Sequence, residues 1–285
     1  MKKKILILGA YGFLGTCLSK FLSENFIIYR QGRASHADYS FNPTIFDEFN
    51  HFFNILNPDI VINTIAMTSV DQCELNPCDA FNVNTLPIKN FSNIKSQSCK
   101  LIHISTDQIY SGEGPHKEES EFPINIYGWS KMLADFIVKD CGGLAIRTNF
   151  LGHSLKHKNF INFIVDNLVT NKPFELYNNI QFNPLFIDDL CACIHSLIDT
   201  HYHGSILNLG SRGSISKADI GIKIADYLQL SKDKIVFTDY HFEKSIAKRP
   251  FDMRLNIDKI YPILGYKIPT MEQTLDRLCQ SIKVI

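Results

Sequence analysis

Ile5-Leu6-Ile7-Leu8-Gly9-Ala10-Tyr11-Gly12-Phe13-Leu14-Gly15 is an apolar run that ends in three glycines spaced by threes. Residues 4 to 8 are β-prone, and Leu14, Leu18, Phe21 and Leu22 then recur at helical spacing. The glycines therefore sit at a strand-to-helix turn. Gly9 suits the tight turn, Gly12 lets the backbone approach a pyrophosphate, and Gly15 permits close packing of helix on strand. The free N–H groups of the helix N-terminus would meet the phosphates. A glycine triplet alone also fits an ordinary βα turn. Its place after the first strand of an alternating pattern is what points to a dinucleotide.

That alternation runs outward from the turn. Phe26-Ile27-Ile28-Tyr29 reads as a second strand. Ile45, Phe49, Phe52, Phe53 and Leu56 mark an amphipathic helix closed by Asn57-Pro58-Asp59, and Ile60-Val61-Ile62-Asn63 is the third strand. A helix from about Cys78 to Ser96, carrying Asn84, leads to a fourth strand at Leu101–Ile104. A helix from Tyr127 and a fifth strand, Leu144-Ala145-Ile146-Arg147, follow. The pattern predicts an α/β fold, a doubly wound parallel Rossmann sheet. Beyond about residue 150 the pattern loosens, and Pro173, Pro184, Pro250, Pro262 and Pro269 punctuate it. We expect residues 1–150 to form the cofactor-binding domain, with returning segments from 185–210. Residues 151–285 would mainly form a smaller C-terminal substrate-binding lobe. Internal repeats and low-complexity segments are absent.

The 285 residues are 45% hydrophobic and 20% charged with zero formal net charge, so nothing points to nucleic acid or a membrane surface. No apolar run approaches the roughly 20 residues of a membrane span. The apolar run after the basic start is too short for a signal peptide, so a cytoplasmic protein is expected. Eight cysteines in a chain this long make no disulfide scaffold. Cys191 with Cys193, and Cys73 with Cys78, lack a second pair at ligand spacing, so no metal site is expected. Most cysteines read as small buried apolar residues of a reduced protein.

The second strand runs into Arg30-Gln31-Gly32-Arg33. A site for NAD usually has an acidic residue there, binding the ribose 2′-hydroxyl. Two guanidinium groups suit a 2′-phosphate instead, so NADPH is favoured and NADH stays open. The alternative is that one or both arginines are simply solvated.

Tyr127 and Lys131 lie four apart and so share a helix face. Tyrosine has a reference pKa of about 10 and needs help to exchange protons at neutral pH. A nearby ammonium favours the phenolate. Tyr127 would protonate a carbonyl oxygen held by Thr106 while hydride arrives from the cofactor. The spacing alone is weak, because Tyr240 and Lys244 repeat it in the less regular region. The first pair gains meaning from the strand, Ser105-Thr106 and some twenty residues before it.

Together, Gly9-x-x-Gly12-x-x-Gly15, Ser105-Thr106-Asp107-x-Ile109-Tyr110 and Tyr127-x-x-x-Lys131 resemble the extended short-chain dehydrogenase/reductase superfamily. Other segments resemble its dTDP-4-dehydrorhamnose reductase branch: Asn57-Pro58-Asp59-Ile60-Val61-Ile62-Asn63, Thr68-x-Val70-Asp71-x-x-Glu74-x-x-Pro77, Pro123-x-x-x-Tyr127-Gly128-x-Ser130-Lys131, Arg147-Thr148 and Arg249-Pro250-x-x-x-Arg254-Leu255. The resemblance covers nearly the whole chain. It implies a catalytic trio of Thr106, Tyr127 and Lys131, with Lys131 also on the nicotinamide ribose. It implies cofactor contacts from Gly9, Tyr11, Gly12, Phe13, Leu14, Gly15, Arg30, Arg33, Asp38, Tyr39, Asn63, Ala66 and Asn84. Val70, Asp71, Asp107, Tyr110, Tyr127 and Arg249 would face a sugar-nucleotide substrate. The activity implied is NADPH-dependent reduction of the 4-keto group of a 4-keto-6-deoxy sugar nucleotide, for surface polysaccharide synthesis.

The chain departs from the branch at Gln108, where an aromatic residue is common, and at Asp252-Met253, where Asn-Ser is usual. Both fall near the expected sugar pocket. The 4,6-dehydratases resemble the same plan but carry Thr-Asp-Glu, and Gln108 is no general base. The fucose-type epimerase-reductases have a cysteine where Asp107 stands. A non-catalytic NADP-binding regulatory subunit remains the alternative of another class. Glu118-Glu119-Ser120-Glu121 reads as a solvated loop, with interfacial metal binding as its alternative. His153 and His157 read as surface residues. Phe160-Ile161-x-Phe163-Ile164 reads as core or as the surface of a homodimer.

Overall fold

The computed structural model describes residues 2–94, 99–200 and 204–283. Its strands, in chain order, are β1 (Lys4–Leu8), β2 (Ile27–Gly32), β3 (Tyr39–Ser40), β4 (Ile60–Asn63), β5 (Lys100–Ile104), β6 (Leu144–Thr148), β7 (Phe150–Leu151), β8 (Phe174–Tyr177), β9 (Gln181–Phe182), β10 (Leu185–Phe186), β11 (Ser205–Leu209), β12 (Ile215–Ser216) and β13 (Ile235–Thr238). Among the described residues, seven of them form one parallel sheet in the order β11-β6-β5-β4-β1-β2-β3. The chain moves outward from β1 to β3, then crosses back to β4. The order therefore reverses between β1 and β4, where such sheets open a crevice at the carboxyl ends of their strands.

The central position of β1 explains its unbroken apolar sequence. Ile5, Leu6, Ile7 and Leu8 are all buried, because helices cover both faces of the sheet. Ile5 and Ile7 face the layer of α1 (Phe13–Leu22); Leu6 and Leu8 face that of α2 (Phe46–Leu56). Each such side chain stabilises the fold by about 1.5–3 kcal/mol on burial.

The expected helix from Cys78 is instead part of a broken series: α3 (Val70–Leu75), α4 (Pro77–Asn84) and α5 (Leu86–Asn93). Pro87 interrupts it, since proline supplies no N–H and clashes with the preceding turn. The expected end at Ser96 lies outside the described residues. α6 (Ile126–Asp140) packs on α4 and α5. β2 extends past the expected Tyr29 to Gly32, which puts Arg30 and Gln31 within the strand.

The chain returns to the large sheet late. β11 pairs with β6, and α8 (Ile187–Ile198) packs on α1. The rest of the chain forms α7 (Phe160–Val169), α9 (Lys217–Leu228), α10 (Tyr261–Leu264) and α11 (Met271–Ser281), with the pairs β10–β7, β12–β9 and β13–β8. α7 buries Ile161 and Ile164 and leaves Phe163 exposed, so it is a core helix with one outward ring. Among the described residues, no helix is long and apolar enough to cross a membrane.

Candidate active site and cofactor cleft

The cleft begins at the glycine turn. Gly12 caps α1 without a side-chain partner, leaving first-turn N–H groups free for an anion. A Cβ on Gly15 would lie 2.2 Å from the Gly9 carbonyl oxygen, so only glycine lets α1 start this close to β1. Gln31 holds the turn from below. Its Oε1 accepts from the Gly9 N–H at 3.0 Å, and its Nε2 donates to the Phe41 carbonyl at 2.6 Å. Gln31 is buried, and the sequence reading passed over it.

Two cavities meet at this turn. One of about 240 Å³ is lined by Gly9, Gly12, Arg33, Asn42, Thr44 and Ala66, among others. The other, about 540 Å³, is lined by Gly12, Phe13, Leu14, Gly15, Ala66 and Val70 on one side. Its opposite wall carries Thr106, Asp107, Gln108, Tyr127 and Lys131. Gly12, Thr64 and Ala66 border both, so one cleft crosses the helix N-terminus from Arg33 to Tyr127. An elongated group with a phosphate at its middle and polar rings at its ends fits that shape.

Thr106 reaches the cavity because β5 ends under it, and its Oγ1 caps the short 3-10 turn Asp107–Ile109 by accepting from the Gln108 N–H at 3.2 Å. Tyr127 is placed by the start of α6. Asn125 caps that helix, accepting from the Gly128 N–H at 2.8 Å, and Glu74 of α3 accepts from the Ile126 N–H at 3.0 Å. Gly128 brings α6 against the 3-10 turn: a Cβ there would sit 2.4 Å from the Gln108 carbonyl oxygen. Burial pushes the Tyr127 phenol upward in pKa while a hydrogen bond with Thr106 opposes it. Burial pulls Lys131 down to about 8, against the nearby Asp135. Burial pushes Asp107 up to about 6, against hydrogen bonds from Asn149 and Thr106.

Several expected contacts lie elsewhere. Tyr110, expected to face a substrate, is wholly buried. Its hydroxyl donates to Asn208 at 2.8 Å and accepts from Arg147 at 2.7 Å, so it ties the sheet together. Asn84 bridges Met67 and Ser130 and does not line the cleft. Asn63 is buried against His103. Arg30 is clasped by Asp38 at 2.8 and 2.9 Å, and Asp38 also engages the Tyr11 hydroxyl, which leaves Arg33 as the guanidinium on the cleft. Tyr39 packs its ring edge-on to Tyr29. Asp71 and Arg249 pair with each other next to Val70.

Other readings are corrected by packing. Glu118 is not solvated: it is buried and accepts from the Asn208 N–H, while Glu121 pairs with the buried Arg147. Among the described residues, no group of three or more His, Cys, Asp or Glu stands ready for a metal. His157, read as a surface residue, lines the larger cavity. Lys217, at the start of α9, lies near Asp107 and Arg249; burial lowers it to about 8, Arg249 adds to that, and Asp107 opposes it. No sequence signal marked Lys217, because β12 carries it to the site from far along the chain. The two departures meet: the Gln108 amide touches the Met253 sulfur. Tyr240 spends its hydroxyl on Ser245 and the Ala247 carbonyl, a fastening for its own loop.

Comparison with known proteins gives the family. The family model described as the RmlD substrate binding domain matches residues 2–284. A probable low-salt glycan biosynthesis reductase, Agl14 of Haloferax volcanii, is 26% identical, covering 95% of this chain and 96% of its own. The crystal structure of dTDP-4-dehydrorhamnose reductase from Bacillus anthracis, in complex with NADP, superposes with a TM-score of 0.90 at 24% identity, covering 99% of this chain and all of that one. A hypothetical dTDP-4-dehydrorhamnose reductase from Sulfolobus tokodaii superposes with a TM-score of 0.85 at 29% identity, covering 96% and 98%.

Proposed function

The chain belongs to the RmlD substrate binding domain family, and from that premise we propose that it is an NADPH-dependent reductase of the 4-keto group of a nucleotide-activated 4-keto-6-deoxy sugar. The observation that carries the reading is convergence: Thr106, Tyr127 and Lys131 line one cavity that runs into the glycine cleft. Arg33 would hold the 2′-phosphate of NADPH and the α1 N-terminus its diphosphate, and the bound cofactor would supply hydride. Thr106 holds the ketone oxygen. Tyr127 enters as the neutral phenol that its burial favours, and donates its proton to that oxygen. Lys131, one turn along α6, in its charged form stabilises the phenolate left behind. Val70 and Asp107 border the sugar, and Arg249 and Lys217 supply positive charge for its diphosphate. Residues 151–285, apart from the segment returning to the sheet, form the substrate lobe.

The glycan biosynthesis reductase of Haloferax volcanii and the dTDP-4-dehydrorhamnose reductases support the reaction class. Gln108 supports reduction over dehydration, because an amide supplies no general base. The test is NADPH oxidation against a panel of 4-keto-6-deoxy sugar nucleotides. Turnover with at least one is expected. Tight NADPH binding with no turnover on any would overturn the reading in favour of a non-catalytic binding subunit.

A further inference from the structure

Behind Lys131 lies a buried chain of polar groups that runs away from the cavity. The lysine Nζ is 2.9 Å from Nε2 of His103 and donates to the Ile104 carbonyl at 2.7 Å. Nδ1 of the same imidazole is 3.0 Å from Nδ2 of Asn63. Asn63, His103 and Lys131 are each no more than 1% exposed, so their hydrogens must be matched within the protein.

The matching has one solution in this arrangement. Oδ1 of Asn63 accepts from the Ile65 N–H at 3.2 Å, which orients the amide and turns its NH₂ toward His103. An amide nitrogen only donates, so Nδ1 accepts. Burial, and then the neighbouring Lys131, hold His103 well below its usual pKa, so the ring is neutral. Its single hydrogen is then on Nε2, pointing at Nζ. Only an unprotonated amine can receive it.

We propose that Asn63 and His103 are a positioning pair that sets the charge of Lys131: with the amide as it stands the lysine is neutral, and its protonation requires the imidazole to change tautomer and the amide to turn over. In that step Nζ takes one proton from solvent. The imidazole loses its hydrogen at Nε2 and gains one at Nδ1, with no net change. Nε2 then accepts from the ammonium, and Nδ1–H donates to Asn63 Oδ1. The Ile65 N–H loses its acceptor. Ile65 lines the smaller cavity beside Gly32 and Arg33, so the charge on Lys131 is linked to the cofactor end of the cleft.

The other groups facing this centre act in known directions. Asp135, one turn further along α6, favours the charged lysine but is itself paired with Arg147 of β6 at 2.8 Å. Tyr127 lies one turn before, with Asp107 of the 3-10 turn and Cys73 of α3 facing its phenol. The consequence for catalysis rests on the reading of Lys131 as the partner of Tyr127; the hydrogen arrangement itself does not.

The deciding measurement therefore uses the cofactor-free protein and needs no turnover. Long-range proton–nitrogen spectra of protein carrying ¹⁵N-histidine report each ring's tautomer, and His103→Gln identifies the signal of His103. At about pH 9.5 the Nε2–H tautomer is expected, giving way to Nδ1–H as pH falls through about 8, where Lys131 gains its proton. In Lys131→Met the Nε2–H form should persist from about pH 9.5 down to about pH 8, with no change of tautomer. Asn63→Asp, whose carboxylate only accepts, should lock Nδ1–H and move the alkaline limb of ketone reduction up by about one pH unit or more. An Nδ1–H ring in the wild type at about pH 9.5, or a tautomer unchanged down to about pH 6.5, overturns the proposal. These wild-type outcomes stand even where Lys131→Met or Asn63→Asp fails to fold, and they leave the NADPH-oxidation result untouched.

Discussion

Asp71 on the first turn of α3 holds Arg249 from far along the chain: its Oδ2 accepts from the guanidinium at 2.8 Å, and its Oδ1 accepts from the Ala247 N–H at 3.1 Å. One carboxylate thus fastens the loop before Phe251 to the helix that follows β4. Both side chains are partly exposed, so the pair contributes little to stability, below about 1 kcal/mol. Its value is orientation. Asp71→Asn is expected to raise KM for the sugar nucleotide about tenfold, with kcat within about twofold and Tm nearly unchanged. Equal losses in kcat and kcat/KM would show that the strap acts on the chemical step instead.

The structure separates the two arginines that the sequence treats alike. Arg33 borders the cleft, whereas Arg30 is clasped by Asp38. Arg33→Ala should weaken NADPH binding by about 1.5–3 kcal/mol and leave NADH nearly unaffected. Arg30→Ala should change the NADPH to NADH ratio by less than about threefold. Titration of each variant with both cofactors decides it, and a ratio governed by Arg30 would contradict the assignment.

Tyr127→Phe removes the phenol on the cavity wall. Ketone reduction should fall by about 10²–10⁴-fold while NADPH affinity stays within a few-fold. Near wild-type turnover would exclude Tyr127 as the proton donor.

Gly15→Ala should be costly, because the new Cβ would stand 2.2 Å from the Gly9 oxygen and 2.7 Å from the Ala10 Cα, both backbone atoms. The expected loss is about 1–3 kcal/mol of stability, read by chemical denaturation, with NADPH affinity falling alongside. A variant as stable as wild type would mean that α1 can shift without penalty.

Asp107 gives stability a pH signature. Burial raises its folded pKa to about 6 from 3.8, so between those values the folded protein holds a proton that the unfolded chain has released. Stability from this group is full below the unfolded pKa and is lost as pH rises through about 6, a fall of about 2–3 kcal/mol. Asp107→Asn should flatten that slope in denaturant unfolding measured across the window. An unchanged slope would place its origin in another group.

Much of this was legible in the chain. The strand–glycine–helix run, the alternating elements and Tyr127 with Lys131 are local patterns, and each depends on contacts between near neighbours in sequence. The apolar run at residues 4–8 could be read because a strand covered on both faces has no polar positions to hide it. The misreadings came where a residue's partner is remote. Tyr110 looks like a site residue until Asn208 and Arg147 claim its hydroxyl. Glu118 looks solvated until the Asn208 N–H meets it.

The sequence alone determined the sheet class, the glycine turn that opens α1 and the helix face that carries a phenol and an amine. Tertiary structure decided which charges remain available. Asp38 takes Arg30 and leaves Arg33, and Asp71 orients Arg249. Lys217 comes near Asp107, and Gln108 meets Met253. His103 is set behind Lys131 by β5, and Asn63 behind His103 by β4. The reason is physical: backbone periodicity follows from short-range sterics and hydrogen bonds, whereas a side chain's charge and proton depend on whatever distant group the fold brings within about 3 Å of it.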